Sequence, residues 1–286
     1  MNTDELAKQM ASGKFKAHLQ KEFSPEAIRR MGELSANELR ERLNQVISVP
    51  INLSGEMSHE LLEFYYTASW YNIFEDRGLP RNASVFEVGA GDIVYIPKAL
   101  NAYSAGQGGK YVTANLNNEL TMNFREKTQG MQVDVEIIQD DGANILNYYS
   151  EESFEVIAFH HALNDIIQTI IAGIEGIDTV NNNWWTIEPQ LLQAVMSYHN
   201  SGELKDAAYE PFIHIIDTCN RLLKKGGYMI FDNCTYAGYE ELGYSSDFHS
   251  AYINLAREWI KEANLGLEEV KMPSYDDKWW MVLRKV

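Results

Sequence analysis

The sequence predicts an α/β fold: a seven-stranded, mostly parallel sheet with an antiparallel last strand, preceded by a helical N-terminal cap. Three observations predict it. From Ser84 onward, short apolar and β-branched runs alternate with helical segments, the pattern of strands covered on both faces. The first of these runs, Val85-Phe86-Glu87-Val88, leads straight into Gly89-Ala90-Gly91-Asp92, a turn in which backbone can approach a ligand with no Cβ in the way. The last two runs are joined through Pro273-Ser274-Tyr275-Asp276-Asp277, a link too short for a crossover helix, so the final strand is expected to run antiparallel.

Taken in order, residues 1 to about 80 read as helices only. Ser24-Pro25-Glu26 sets an N-cap residue before a proline at the first helical position. Ser35-Ala36-Asn37-Glu38 is a capping box ahead of Leu39, Leu43 and Val46, and Pro50 closes that element. A further helix is expected from Ser58 to Phe74, with Leu61, Tyr65, Ala68 and Asn72 on one face and Leu62, Tyr66 and Trp70 close by. It reads either as a packing helix or as a lid whose Tyr65, Tyr66 and Trp70 cover a ligand. The strands are expected at 84–88, 110–114, 133–138, 154–159, 227–232, 266–271 and 278–285, with a helix from Asp92 to Tyr103 after the glycine turn. An insertion carrying Asn181-Asn182-Asn183-Trp184-Trp185 occupies about 176–205. The division expected is thus a cap or lid over 1–80 and a ligand-binding catalytic domain over 81–286.

Composition narrows the class of protein. The 286 residues, 45% hydrophobic and 23% charged, suit an ordinary globular chain without repeats or disorder. No apolar run approaches the roughly 20 residues that cross a membrane, and no secretory signal is evident. Cys219 and Cys234 form no Cys-x-x-Cys pair, so neither a disulfide framework nor a cysteine metal site is expected, and the cytoplasm is the natural compartment. A net charge of −17 with scattered basic residues disfavours nucleic acid as partner, and a membrane is not expected either.

The glycine turn alone leaves the cofactor open. A dinucleotide fingerprint needs glycine where this chain has Val94, which disfavours nicotinamide. The successive segments resemble the class I S-adenosylmethionine-dependent methyltransferases over nearly all of Ser84–Val286. Glu87-Val88-Gly89-Ala90-Gly91 matches that family's first motif, and Ala114-Asn115-Leu116-Asn117 resembles the end of its second strand. Gln139-Asp140-Asp141-Gly142-Ala143 is similar to its adenine-contacting loop. Phe154 to Asp165 resembles the fourth strand and its exit, and Leu222 to Phe231 the fifth strand with its preceding turn. Two positions depart from the pattern: Ile93 stands where a third glycine is frequent, and Asn115 where an acidic residue is.

The resemblance implies a Rossmann-like sheet and S-adenosyl-L-methionine as cofactor. Glu87 and the Gly89, Ala90, Gly91 backbone would hold its amino-acid part, Asn115 and Leu116 the ribose and adenine, Asp141 and Gly142 the adenine edge, with His160 near the sulfonium. Asp140 and Asp141 read alternatively as turn caps. His160, His161 and Asp165 stand where a general base is expected, and imidazole titrates near neutral pH. Adjacent histidines on an extended strand point to opposite faces, and no set with Asp165, His199, His214 or His249 has metal-ligand spacing, so no metal is expected. Trp184, Trp185 and Tyr236, with Tyr239 and Tyr244, read as an aromatic acceptor pocket or as a packing or homodimer contact. The expected activity is methyl transfer to O, N or C of a small molecule. The rivals are a non-methylating enzyme using the same cofactor and an inactive cofactor-binding subunit, for which Asn115 is the best support.

Overall fold

The computed structural model describes residues 1–14, 19–48 and 50–286. Its sheet has seven strands in the order β3-β2-β1-β4-β5-β7-β6. The strands are β1 (Ser84–Val88), β2 (Lys110–Ala114), β3 (Asp134–Ile138), β4 (Phe154–His160), β5 (Leu223–Asp232), β6 (Leu267–Glu269) and β7 (Trp280–Lys285). The first five are mutually parallel, and β7 runs antiparallel to both β5 and β6, as the short connection before it requires. The Rossmann-like sheet read from the sequence is therefore present.

Before the sheet come four helices, α1 (Thr3–Ser12), α2 (Pro25–Gly32), α3 (Ala36–Ile47) and α4 (Ser58–Asp76). Ser24 caps α2 through the Ala27 N–H, and the Ser35/Glu38 capping box opens α3. Of the two readings of α4, packing helix or lid, its burial is that of a packing helix. Nearly every side chain from Leu61 to Phe74 is buried, because α1 and α3 cover its outer side and α5 (Tyr95–Ser104) packs along it. Burying one aromatic of the size of Trp70 or Phe74 is worth about 1.5–3 kcal/mol. Leu43, Leu61 and Trp70 share one continuous core with Val85, Val156 and Ile230 on the same face of the sheet.

The opposite face is covered by α7 (Ala162–Glu175), α9 (Leu204–Leu222) and α12 (Tyr252–Ala263), whose Ile167, Phe212 and Ala256 pack on Phe86, Ile157 and Met229. The helix after β1 thus lies on one face and the helix after β4 on the other. The strand order reverses between these neighbours, which opens a crevice beyond their carboxyl ends.

Several boundaries differ from the sequence reading, most of them by one or two residues. The helix after the glycine turn begins at Tyr95 rather than Asp92, since Asp92 and Ile93 complete the turn with Ile93 N–H donating to Ala90 O (3.0 Å). β5 starts four residues early, at Leu223, and β6 is only three residues long at the sheet edge. The insertion is ordered: Asn183 caps α8 (Trp184–Ser201), which packs on α7 and α9. Among the described residues, no helix is long and apolar enough to cross a membrane.

Candidate active site

A cavity of about 1150 Å³ opens at the carboxyl ends of β1, β2, β3, β4 and β5. That exceeds the usual pocket for one small molecule and has room for two. Its first half is built mainly from backbone. Gly89 and Gly91 hold φ of +67° and +58°, left-handed values that strain any residue with a Cβ. A Cβ at Gly89 would project into open space, on the side where a ligand would lie. Asn115 clasps the turn at two points, Oδ1 accepting from Gly91 N–H (3.1 Å) and Nδ2 donating to Gly91 O (2.8 Å). An aspartate could supply only the first of these bonds. Asn115 is thus a positioning residue of the turn, which gives a physical reason for an amide at this position.

Leu116, Asp141 and Gly142 also line this half. Asp141 caps the following 3-10 turn by accepting from Ala143 N–H (2.9 Å), and Asp140 accepts from Asp141 N–H, Asn144 and Tyr148. A Cβ on Gly142 would meet Val88 Cγ1 at 3.1 Å, so packing as well as ligand approach favours glycine there. Glu87 departs from its expected place. It does not line the cavity, because alternation along β1 turns it to the other face of the sheet, where Tyr111 donates to its Oε2 and its Oε1 is buried without a partner. Burial pushes its carboxyl well above the usual carboxylate range.

The second half is assembled from side chains distant in sequence. In the parallel register β4 aligns His160 with Asp232, and His160 Nδ1 lies 2.8 Å from Asp232 Oδ2. The expectation that His160 and His161 diverge is overturned. His161 has φ +54°, which ends β4 and begins α7, and the two rings stack with centroids 3.8 Å apart. A left-handed non-glycine residue costs roughly 1–2 kcal/mol, strain of the kind concentrated at functional sites. One potential ligand atom each from His160, His161 and Asp232 falls within 4.8 Å of the others, close enough that the trio has to be weighed as a metal site. His199 and His214 are exposed on α8 and α9, whereas His249 is fully buried and lines the cavity.

Burial also reverses the expected titration. It pushes His160 and His161 well below the usual imidazole range, so both are neutral at pH 7. The same burial raises Asp232. Asp165, in the first turn of α7, is pushed up to about 8 by burial and by Glu188. Near neutral pH the titrating groups of this wall are carboxyls, Asp232 raised to about 7 and Asp165, not imidazoles.

Of the expected aromatic residues, Trp184, Trp185 and Tyr236 line the cavity, Trp185 being 60% exposed at its edge. Tyr65 and Tyr66 do not, whereas Leu53, His59 and Leu62 of the same N-terminal region do. Tyr65 Oη donates to Met1 O (2.9 Å) and accepts from the Met1 amine, while Tyr66 stands behind the histidines, its ring edge-on to both. Five residues that sequence reasoning missed complete the wall or support it: Asp232, Asn233, Glu188, Asn164 and Tyr95. The strand-end rule that singled out His160 applies equally to Asp232 and Asn233 at the end of β5.

No family model matches the chain, and no curated protein matches it. Solved structures similar to it include an S-adenosylmethionine-dependent methyltransferase from Aquifex aeolicus, at 14% identity and TM-score 0.41 over 75% of this chain and 87% of that one. An S-adenosylmethionine-dependent O-methyltransferase from Thermotoga maritima is similar at 11% identity and TM-score 0.40, over 77% and 65%. The DszA carbon methyltransferase is similar at 12% and 0.46, over 81% and 55%. At such identities and scores these likenesses assign no activity, which has to be argued from the cavity itself.

Proposed function

We propose that the protein is an S-adenosyl-L-methionine-dependent methyltransferase acting on a small-molecule acceptor. The observation that carries this reading is the joining, in one cavity, of a left-handed glycine turn at the topological switch point to a polar wall with a carboxyl titrating near neutral pH. The residues present suit the cofactor: backbone at Gly89 and Gly91 that a ligand can approach, Leu116 as an apolar neighbour, and Asp141 at the third strand's exit. When bound, that cofactor supplies an electrophilic methyl group on a sulfonium.

The chain's own contribution is placement and proton removal. Holding two reactants in line can supply several kcal/mol, up to about 7–11 in ideal cases. For an acceptor that must lose a proton, Asp165 is the stronger candidate over the histidines named from sequence. A base works best with its pKa near the operating pH, and burial leaves His160 and His161 too weakly basic. His160, held by Asp232, then acts as a fixed neutral wall. The absence of Lys and Arg among the described lining residues disfavours a polyanionic acceptor such as nucleic acid.

The test is turnover with S-adenosyl-L-methionine, read as product mass increased by one methyl group. Asp165→Asn should lower kcat by roughly 10²–10⁴ with S-adenosylhomocysteine affinity nearly intact. In the wild type kcat should rise with pH through about 8, as Asp165 loses its proton, and the variant should lack that limb. An unchanged limb in Asp165→Asn, with loss of activity in His160→Gln, would return the role to the histidine.

A further inference from the structure

Five carboxylates line the cavity, Asp92, Asp141, Asp165, Glu188 and Glu241, and among the described residues no Lys or Arg does. Asp165 and Glu188 belong to the half beyond β4, the half that faces an acceptor. Glu188 Oε1 accepts from Tyr239 Oη (2.9 Å), and Asp165 Oδ1 accepts from Asn164 Nδ2 (3.1 Å). The neighbouring amides point the same way chemically. Asn164 and Asn233 use their N–H groups on Asp165 Oδ1 and on His249 O (3.3 Å), while Oδ1 of each is buried with no donor. Asn164 is 5% exposed and Asn233 2%, and both line the cavity. The wall therefore presents carboxylate and amide acceptors, with the unpartnered ring nitrogens of His249 beside them, flanked by the rings of Tyr236, Tyr239 and Trp184.

We propose that this wall recognises a cationic amine on an apolar or aromatic skeleton, and that its nitrogen is the atom methylated. The inference rests on the methyltransferase reading above for the second clause only. An ammonium group carries donors and no acceptor, and so satisfies carboxylate and amide oxygens together. Its charge is further favoured over aromatic faces. Above about pH 8, where Asp165 is ionised, a carboxylate or phosphate ligand meets repulsion from Asp165 and Glu188. A neutral alcohol supplies one donor and leaves the remaining buried oxygens unpaired.

The step balances without a further reactant. The substrate ammonium gives a proton to the Asp165 carboxylate, and the freed lone pair forms the new N–C bond. The S–C bond breaks with its electron pair going to sulfur, which turns the sulfonium into a neutral thioether. The product is an N-methylammonium that keeps its positive charge beside Glu188.

The test separates recognition from chemistry by using S-adenosylhomocysteine, which has no methyl group to give. 3-Phenylpropylammonium, 3-phenylpropanoate and 3-phenylpropan-1-ol, one skeleton with three head groups, are titrated calorimetrically into the full chain, with and without S-adenosylhomocysteine. The ammonium should bind at least tenfold more tightly than the other two. Asp165→Asn/Glu188→Gln should lose at least tenfold of that affinity while melting temperature and S-adenosylhomocysteine affinity hold. Equal or undetectable binding across the three ligands overturns the proposal, as does unchanged ammonium affinity in the double variant. Should the double variant fail to fold, the wild-type ligand series still decides, and Glu188→Gln alone repeats the comparison. Ammonium binding without any S-adenosylhomocysteine binding would overturn the cofactor reading and leave the amine site standing.

Discussion

The two halves of the cavity are built by opposite means. Around Gly89, Gly91 and Asn115 the surface is mostly backbone, set by residues within a single strand–turn–helix and one clasping amide from the next strand. Around His160, Asp165, Glu188 and Asp232 it is side chains from β4, β5, α7 and α8, brought together over 72 residues in the case of His160 and Asp232. The first half is specified locally, and its left-handed glycines strain any residue with a Cβ. The second depends on strand register and helix packing, and tunes charge by burial. A cofactor common to many reactions suits a rigid backbone cradle, whereas an acceptor site is where side-chain variation sets specificity.

The largest effect that would break this contrast is at Gly91. Valine there combines left-handed strain on the order of 1–3 kcal/mol with side-chain atoms in the ligand's space, so S-adenosylhomocysteine binding should fall below calorimetric detection while circular dichroism remains native. Wild-type affinity in the folded variant would mean that the cofactor half lies elsewhere.

A smaller effect is expected at Asn115. Aspartate keeps the acceptor for Gly91 N–H but sets a carboxylate oxygen against Gly91 O, where an N–H now donates at 2.8 Å. Binding of S-adenosylhomocysteine should weaken by about 1–3 kcal/mol, the usual result of leaving a buried polar partner unpaired. The related-family pattern makes the opposite prediction, since an acidic residue that bonds ribose directly would strengthen binding. Calorimetry of Asn115→Asp therefore decides between a clasp and a ligand contact.

What could be read from the chain follows the same division. All seven strands, the antiparallel end and the glycine turn were legible, because β-branched runs, glycines and link lengths are local signals. The helical caps at Ser24 and Ser35 were legible for the same reason. Glu188 was not singled out, since nothing local marks a carboxylate that an insertion helix will carry to the wall; Asp232 stands at a strand end that the strand-end rule reaches, but its pairing with His160 appears only through the β4–β5 register. The stacking of His160 on His161 was hidden as well. It depends on one left-handed residue at the strand–helix junction, where the rule of alternation no longer holds. Glu87 and Tyr65 were misplaced by the reverse error: their spacing suits a ligand site, but the face they occupy is covered by the N-terminal helices.

The smallest expected effect concerns the trio His160, His161 and Asp232, where a metal and a proton are competing occupants. A tetrahedral ion with ligands about 2.0–2.1 Å away needs ligand atoms separated by roughly 3.4 Å on every edge. Here His160 Nδ1 to Asp232 Oδ2 is 2.8 Å, an ordinary hydrogen bond, while His161 Nε2 is 4.0 Å from that same oxygen. Unequal edges of this kind fit a proton between His160 and Asp232, with His161 held by stacking. Dialysis against EDTA should therefore leave melting temperature and turnover unchanged, and the metal content of the purified protein should be far below one ion per chain. A fall in melting temperature that Zn²⁺ or Fe²⁺ restores, absent in His161→Ala, would show that the second half is organised around an ion. The contrast between the halves would then be one of backbone cradle against metal centre.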